Sequence, residues 1–513
     1  MRPDDPEARL RERLHAELDH APVSVDATVL RERLAARPAG WWRNHAFAGS
    51  LGLLAGTLAL IVAVASVGLS LGPRLLRPAW PAAAPFQIPP HLMVVAPVAS
   101  PAPAVSGAPS GSGMRGRLVQ PNTLADVPDT PTFNLGEHYV SALSPNGRLL
   151  AIVRWPTNGT MRGGELHLVD LSSAEDRDTG VRIDGDVSAL NFVANASALI
   201  WLQARTPPYS DWQLMRYRIG GAVTRVATLP AGYSPWESRL LPTGDLVLLV
   251  STAGSTAYTQ GTPHVVFLDG GGQLRNDLAL PTVLVGQRPL PDGTYRDDRP
   301  GLAWDLRDGW LYIAHAEADV VTVIDLARRA ISSEIDARPR ASAWQQVLGI
   351  GIAVAKLQPG NTRAAALSAD GSRLYVVGSR QEIVGSGSAA VYRRSPLGGF
   401  VLDTGQRTRL GDISLAVDGV WAASDGRLLF AGSREEEVSN QPGTSRTEIL
   451  VTDLALTVAA RAVLPDGSTV IGPSRDGTRV YFSTWNSAAS TVTSLRLGDL
   501  GQARTVPGQW LDP

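Results

Sequence analysis

A ring of repeated antiparallel sheets, a seven-bladed β-propeller, is the fold class this sequence predicts, and three observations predict it. A short phrase, a polar turn followed by an apolar run, returns seven times between residues 146 and 483. The runs behind the turns are apolar almost without a break. A loop and a second strand-like run follow each copy, so one repeat supplies several short strands.

The phrase is clearest in "LSPNGRLLAIV" (143–153), "LSADGSRLYVVGS" (367–379) and "PSRDGTRVYFST" (473–484). Looser copies are "NASALIWL" (195–202), "TGDLVLLV" (243–250), "DGWLYIAH" (308–315) and "DGRLLFAG" (425–432). Asp-Gly and Asn-Gly supply the positive φ angles of tight hairpins, so each turn joins two neighbouring antiparallel strands. The second runs are "ELHLVDL", "WQLMRYRI", "HVVFLDG", "VVTVIDL", "AAVYRR", "EILVTDL" and "TVTSLRL". A strand with one wet face alternates apolar and polar residues, whereas one packed on both faces need not. Small sheets with neighbours against both faces, stacked radially, make a propeller over residues 131–513. Six or eight blades also fit the spacing.

The residues resemble a known group. "LSADGSRLYVVGS" and "LSPNGRLLAIV" are similar to the S-P-D-G-x-x-L repeats of bacterial TolB-like and WD40-like propellers. "DGWLYIAHAEADVVTVIDLARRAISSEI" resembles the YVTN-type repeat. The chain departs from WD40 units in lacking repeated Trp-Asp pairs; its one pair, Trp304 with Asp305, sits just before a turn. The resemblance implies a repeat framework and carries no functional residue, because these propellers serve many roles. YVTN-type propellers include lactonases, which makes a metal-assisted hydrolase the alternative expectation.

Ahead of the propeller, residues 46–72 carry no charge over 27 positions. That exceeds the roughly 20 residues needed to span a bilayer core, and it is longer than the apolar core of a cleaved signal peptide. Trp41, Trp42 and Trp80 flank it at interfacial positions. Arg31, Arg33, Arg37 and Arg43 precede it against Arg74 and Arg77 after it, which favours a cytoplasmic N-terminus and an extracytoplasmic propeller. Gly52 and Gly56, extended back by Ala48, form a GxxxG face on which two such helices can dimerise. Residues 1–45 read as two short amphipathic cytoplasmic helices, with Leu10, Leu14 and Leu18 on one face. Residues 73–130 are rich in Pro, Ala, Ser and Gly and read as an extended stalk.

In a propeller of four-stranded sheets, the connections alternate between the two ends of the ring. The Asp-Gly turns lie at one end. The long loops, 155–164, 252–263 and 433–446, fall at the other with the crossings 285–300 and 342–362. Long loops on a rigid scaffold are where binding usually resides. They and their flanks carry Trp155, Tyr209, Trp212, Tyr258, Tyr295, Trp344 and Trp485, with Asp297 and Asp298. An aromatic, polar-looped face of this kind suits a protein, peptide or glycan.

Composition excludes other classes. Lys+Arg 47 against Asp+Glu 48 gives a net charge of −1 with no basic stripe, against a nucleic-acid partner. Cys 0 excludes disulfides, thiolate metal sites and a thiol nucleophile. His138, His167, His264 and His315 form no metal-ligand pair, and the single G-x-S-x-G match, "GLSLG" at 68–72, lies in the apolar span. Asp297 and Asp298 lack the spacing of a cation loop and are flanked by Arg296 and Arg299. No cofactor is expected. The sequence therefore points to a binding or sensing module, or a structural subunit, in a bacterial envelope.

Overall fold

The computed structural model describes residues 89–97, 114–136, 139–155, 163–193, 195–204, 211–252, 261–289, 295–339, 361–384, 391–433, 437–439, 447–474, 476–485 and 490–510. The expected N-terminal helices and the apolar span with Ala48, Gly52 and Gly56 lie outside the described residues. Every helix or strand among the described residues is a strand, and no helix there is long and apolar enough to cross a membrane.

Seven blades, each built on four antiparallel strands in chain order, occupy 139–183, 186–228, 233–279, 301–336, 361–413, 419–463 and 468–507, and are numbered 1 to 7 in that order. Each repeat of the turn phrase marks one blade. First strands of successive blades lie beside one another, as Asp186–Phe192 does with Tyr139–Leu143 and Tyr233–Leu240, so they ring the centre. Fourth strands are the outer, wetter ones; Val458–Val463 shows mostly exposed residues.

The apolar runs answer to two cores at once. In blade 1, Ala151 and Val153 pack against blade 2 with Phe192, Leu199 and Trp201. Their neighbours Leu150 and Ile152 point the opposite way. In blade 5, Leu374 and Val376 face blade 4 while Tyr375 and Val377 face blade 6. Successive side chains of a strand leave opposite faces of the sheet. A strand between two blades therefore has no wet face, and each such side chain stabilises the ring by about 1.5–3 kcal/mol.

The repeated phrase is explained by its hydrogen bonds. Ser368 Oγ donates to Asp370 Oδ1 at 2.6 Å and accepts the Arg373 N–H at 2.9 Å, while the Gly371 N–H donates to the Ser368 carbonyl. Ser144 with Asn146 and Leu149, and Ser474 with Asp476 and Arg479, repeat this pattern. The hydroxyl satisfies the strand end that the turn leaves open. Ser368→Ala and Ser474→Ala should each cost about 1–2 kcal/mol, read as a lower denaturation midpoint. An unchanged midpoint would assign the turn to its glycine alone.

One sheet was not legible as a blade. Leu92–Pro97, Met114–Val119 and Phe133–Gly136 form a sheet whose other edge is Gln509–Trp510, from beyond blade 7. Val94 pairs with Trp510 and Val95 with Gln509. This closing sheet packs on blade 1 through Met93, Val95, Leu118 and Leu135, and on blade 7 through Leu92, Val94 and Val119. In cyclic order, residues 509–510 stand where the first strand stands in every blade. The ring thus holds seven repeat blades and one composite sheet. The stalk expected over 73–130 is corrected here: 92–97 and 114–119 are buried strands, short apolar runs whose proline- and serine-rich flanks disguise them.

Candidate functional site

The structure separates the sequence-chosen residues by their direction. Trp155 and Trp212 are corrected from the binding face to the core, at 3% and 4% exposure. Trp155 continues the inward series of Ala151 and Val153 toward blade 2, and Trp212 stands two residues from Leu214 between blades 2 and 3. Tyr209, Tyr258 and Trp344 lie outside the described residues. Tyr295 opens a strand, Tyr295–Asp298, and Trp485 ends another, Arg479–Trp485.

Asp297 and Asp298 are adjacent in sequence and separate in role. The crossing from blade 3 to blade 4 folds into a hairpin, Gly286–Pro289 against Tyr295–Asp298. Its end joins the first strand of blade 5: the Arg299 N–H donates to the Asn361 carbonyl and the Arg363 N–H to the Arg299 carbonyl. Asp298 is fully buried there, its Oδ1 3.3 Å from the Asn361 N–H. Asp297 instead pairs with Arg299 at 2.9 Å, and that guanidinium stands 5.5 Å from the ring of Trp236. They are a docking joint, divided between buried backbone and surface ion pair.

A second elaboration lies at the same end. The middle strands of blade 5 are long, Arg373–Val384 and Val391–Asp403, of 12 and 13 residues. They pair out to Val384 with Val391. Glu437–Ser439, from the blade 6 loop, then adds to the hairpin as a further strand, Glu437 opposite Arg394 and Ser439 opposite Tyr392. "EIVGSGSAAVY" was the available signal, two β-rich runs around a Gly/Ser turn.

The opposite end, with the short turns, holds a cavity of about 610 Å³ on the ring centre. First strands of blades 3 to 7 line it. Arg239, Ala366, Trp421 and Gly472 occupy one equivalent position, each five residues before the positive-φ turn glycine (Gly244, Gly371, Gly426 and Gly477), whereas Trp304, opposite Leu311, lies one residue past the equivalent Ala303 and packs toward blade 3. Sequence reasoning missed this layer, although the shared offset from the turn was legible. Glu237 shares the strand with Arg239. Water reaches both, but the surrounding channel wall pushes the Glu237 carboxyl up and the Arg239 guanidinium down.

The histidines are spread among blades. His167 Nδ1 lies 2.7 Å from Asp176, His264 Nδ1 2.6 Å from Asp277, and His315 Nε2 2.8 Å from Thr322 Oγ1. Burial pushes the His315 imidazole down, toward its neutral form. Among the described residues no three His, Asp or Glu side chains converge as a metal site.

The chain matches no family model and no curated protein. Among solved structures it is similar to the dihydro-heme d1 dehydrogenase NirN in complex with DHE, at 15% identity and a TM-score of 0.47, covering 85% of this chain and 75% of that one. It is also similar to a eukaryotic initiation factor, at 11% identity and a TM-score of 0.44, covering 82% and 96%. A prolyl endopeptidase follows at 12% identity and a TM-score of 0.39, covering 81% and 56%. None of these likenesses bears on activity; the propeller stands on its own strand order.

Proposed function

We propose that this chain is a non-catalytic binding propeller, tethered to a bacterial membrane through residues 46–72, whose loop-bearing end takes a protein or peptide partner. The observation that carries this reading is the sheet over blade 5, where a strand of blade 6 joins the long hairpin. A hairpin prolonged past its blade leaves the mutual packing that stabilises the ring. Its extra length adds little to the fold and much to the surface at that end. Long, cross-braced segments on a rigid scaffold are typical of recognition surfaces. The uncharged span and the arginine bias before it support an extracytoplasmic propeller.

The test uses full-length protein in native membranes, crosslinked and purified. One variant joins Gln381 to Arg394 through a short turn; another replaces 434–446 with a Gly/Ser link. Both should keep the thermal transition of the parent and lose its crosslinked partner. A partner captured equally by parent and both variants would sink the proposed end. Protease treatment of intact cells should cleave the propeller side, and protection there would reverse the topology.

A further inference from the structure

The equivalent residues of blades 3 to 7 form one layer around the cavity at the short-turn end, Arg239, Ala303, Ala366, Trp421 and Gly472, and Trp304 lines the cavity from the next position of blade 4. In strands built by repetition, equivalent positions face the centre alike, so this layer is a wall whose chemistry can be compared blade by blade. One position of the layer carries an indole, one a guanidinium, and three almost nothing, while Trp304 adds a second indole beside it. The small ones give room. A Cβ on Gly472 would stand 3.3 Å from the Trp421 ring, and one on Gly419 would stand 2.7 Å from it. Trp421 therefore lies flat against a wall kept bare for it.

The charges of the cavity are unequal in their engagement. Asp305 Oδ1 accepts the N–H groups of Arg307 and Asp308 within its own turn. The Arg307 guanidinium reaches the Asp370 carbonyl and Asp308. Arg239 differs: among the described residues its guanidinium makes no hydrogen bond or ion pair, and its neighbour Glu237 acts on it only across a distance. Arg239 is exposed to the water of the channel, so its guanidinium is open to a partner from solution. Its planar fork matches a carboxylate or phosphate bidentately. Indole faces take flat apolar bodies and carry an N–H that finds a partner when covered.

We propose that the short-turn end of the channel binds a small anion with a flat apolar body, its anionic group on Arg239 and its body against Trp304 and Trp421. The size fits: ligand pockets run to about 300–1,000 Å³. This site lies at the other end of the ring from the partner-binding surface, and either can exist without the other.

The probe is 2-naphthoate, with naphthalene-2-carboxamide as its uncharged counterpart. Both are titrated into the full-length protein in detergent, with empty micelles as the blank, following tryptophan fluorescence and calorimetry. The naphthoate should bind at one site per chain and quench tryptophan emission. Arg239→Gln should weaken naphthoate by roughly tenfold to a hundredfold and leave the carboxamide unchanged, while Arg239→Lys should recover part of the loss. Trp421→Leu should weaken both probes. Circular dichroism and the thermal transition establish that each variant is folded. No naphthoate binding by the folded parent, or equal affinity in parent and Arg239→Gln, would overturn the proposal.

Discussion

Replacing Asp319 by Ala is expected to destabilise the propeller by about 3 kcal/mol, because it strands the buried Arg363 guanidinium between blades 4 and 5 and leaves Arg409 only its exposed carboxylate partner Asp412. Asp319 Oδ1 lies 2.7 Å from Arg363 and its Oδ2 3.2 Å from Arg409. The Arg363 side chain is only 6% exposed and that of Arg409 16%. Arg363 also donates to the Gly398 carbonyl at 2.7 Å, and Arg409 to the Ala337 carbonyl. Both cations lie over the ring of Phe400, at 5.9 and 5.3 Å, and Asp319 is the carboxylate they share, Arg409 having Asp412 besides. Burial already pushes the Arg363 guanidinium down. Removing one member of a buried ion network leaves uncompensated charge, which costs more than the intact network contributes. Replacing all three by well-packed apolar residues should restore much of the loss. The denaturant midpoint measures both; a shift in Asp319→Ala under about 1 kcal/mol would show a solvated pair of surface type.

Val94→Asp in the closing sheet should have a still larger effect. Val94 has no exposure and packs among Leu92, Val119, Tyr481 and Val492. The substitution forfeits about 1.5–3 kcal/mol of apolar burial. It also buries a carboxylate beside Arg117 of the paired strand, a guanidinium already engaged by Asp126 and the Pro507 carbonyl, at a cost of several kcal/mol. Together these approach the 5–15 kcal/mol that typically holds a domain folded. The expected result is loss of a cooperative thermal transition and rapid cleavage by added protease. Gly508→Ala attacks the same joint from the other side. Its φ is +128, and a Cβ would stand 2.6 Å from Val94 Cγ1 and 2.7 Å from the Val95 carbonyl oxygen. If both variants melt as the parent does, the sheet at 92–136 is an appendage and the seven blades close without it.

What could be read from sequence follows from which physics is local. Asp370-Gly371 and Asp476-Gly477 announce their turns because a positive φ is a property of two residues. Leu149–Val153 announces a strand dry on both faces because the apolar run itself records two cores. The pairing of Val94 with Trp510 is another matter: it joins distant parts of the chain, and no nearby residue encodes it. Trp155 and Trp212 were misjudged although the means to place them was at hand. Both continue an every-second-residue series into a blade interface, and nearness to a long loop does not change the direction of a side chain. Trp421 carries no such local signal, since "GVWA" is short and its counterparts vary from blade to blade. Only alignment on the turn glycine shows that Trp421 shares a place with Arg239.

The strand at 509–510 is translated after all seven repeats, and the segment it must clasp is translated before them. A nascent chain therefore carries an unclasped arc until its final repeat has emerged, with the edge of Val94 and Val95 unpaired. Any product cut short by a stop codon stays in that condition permanently. Shutting the circle with segments from either side of the seven repeats makes the covering of Val94 and Val95 depend on residues 509–510 having been made.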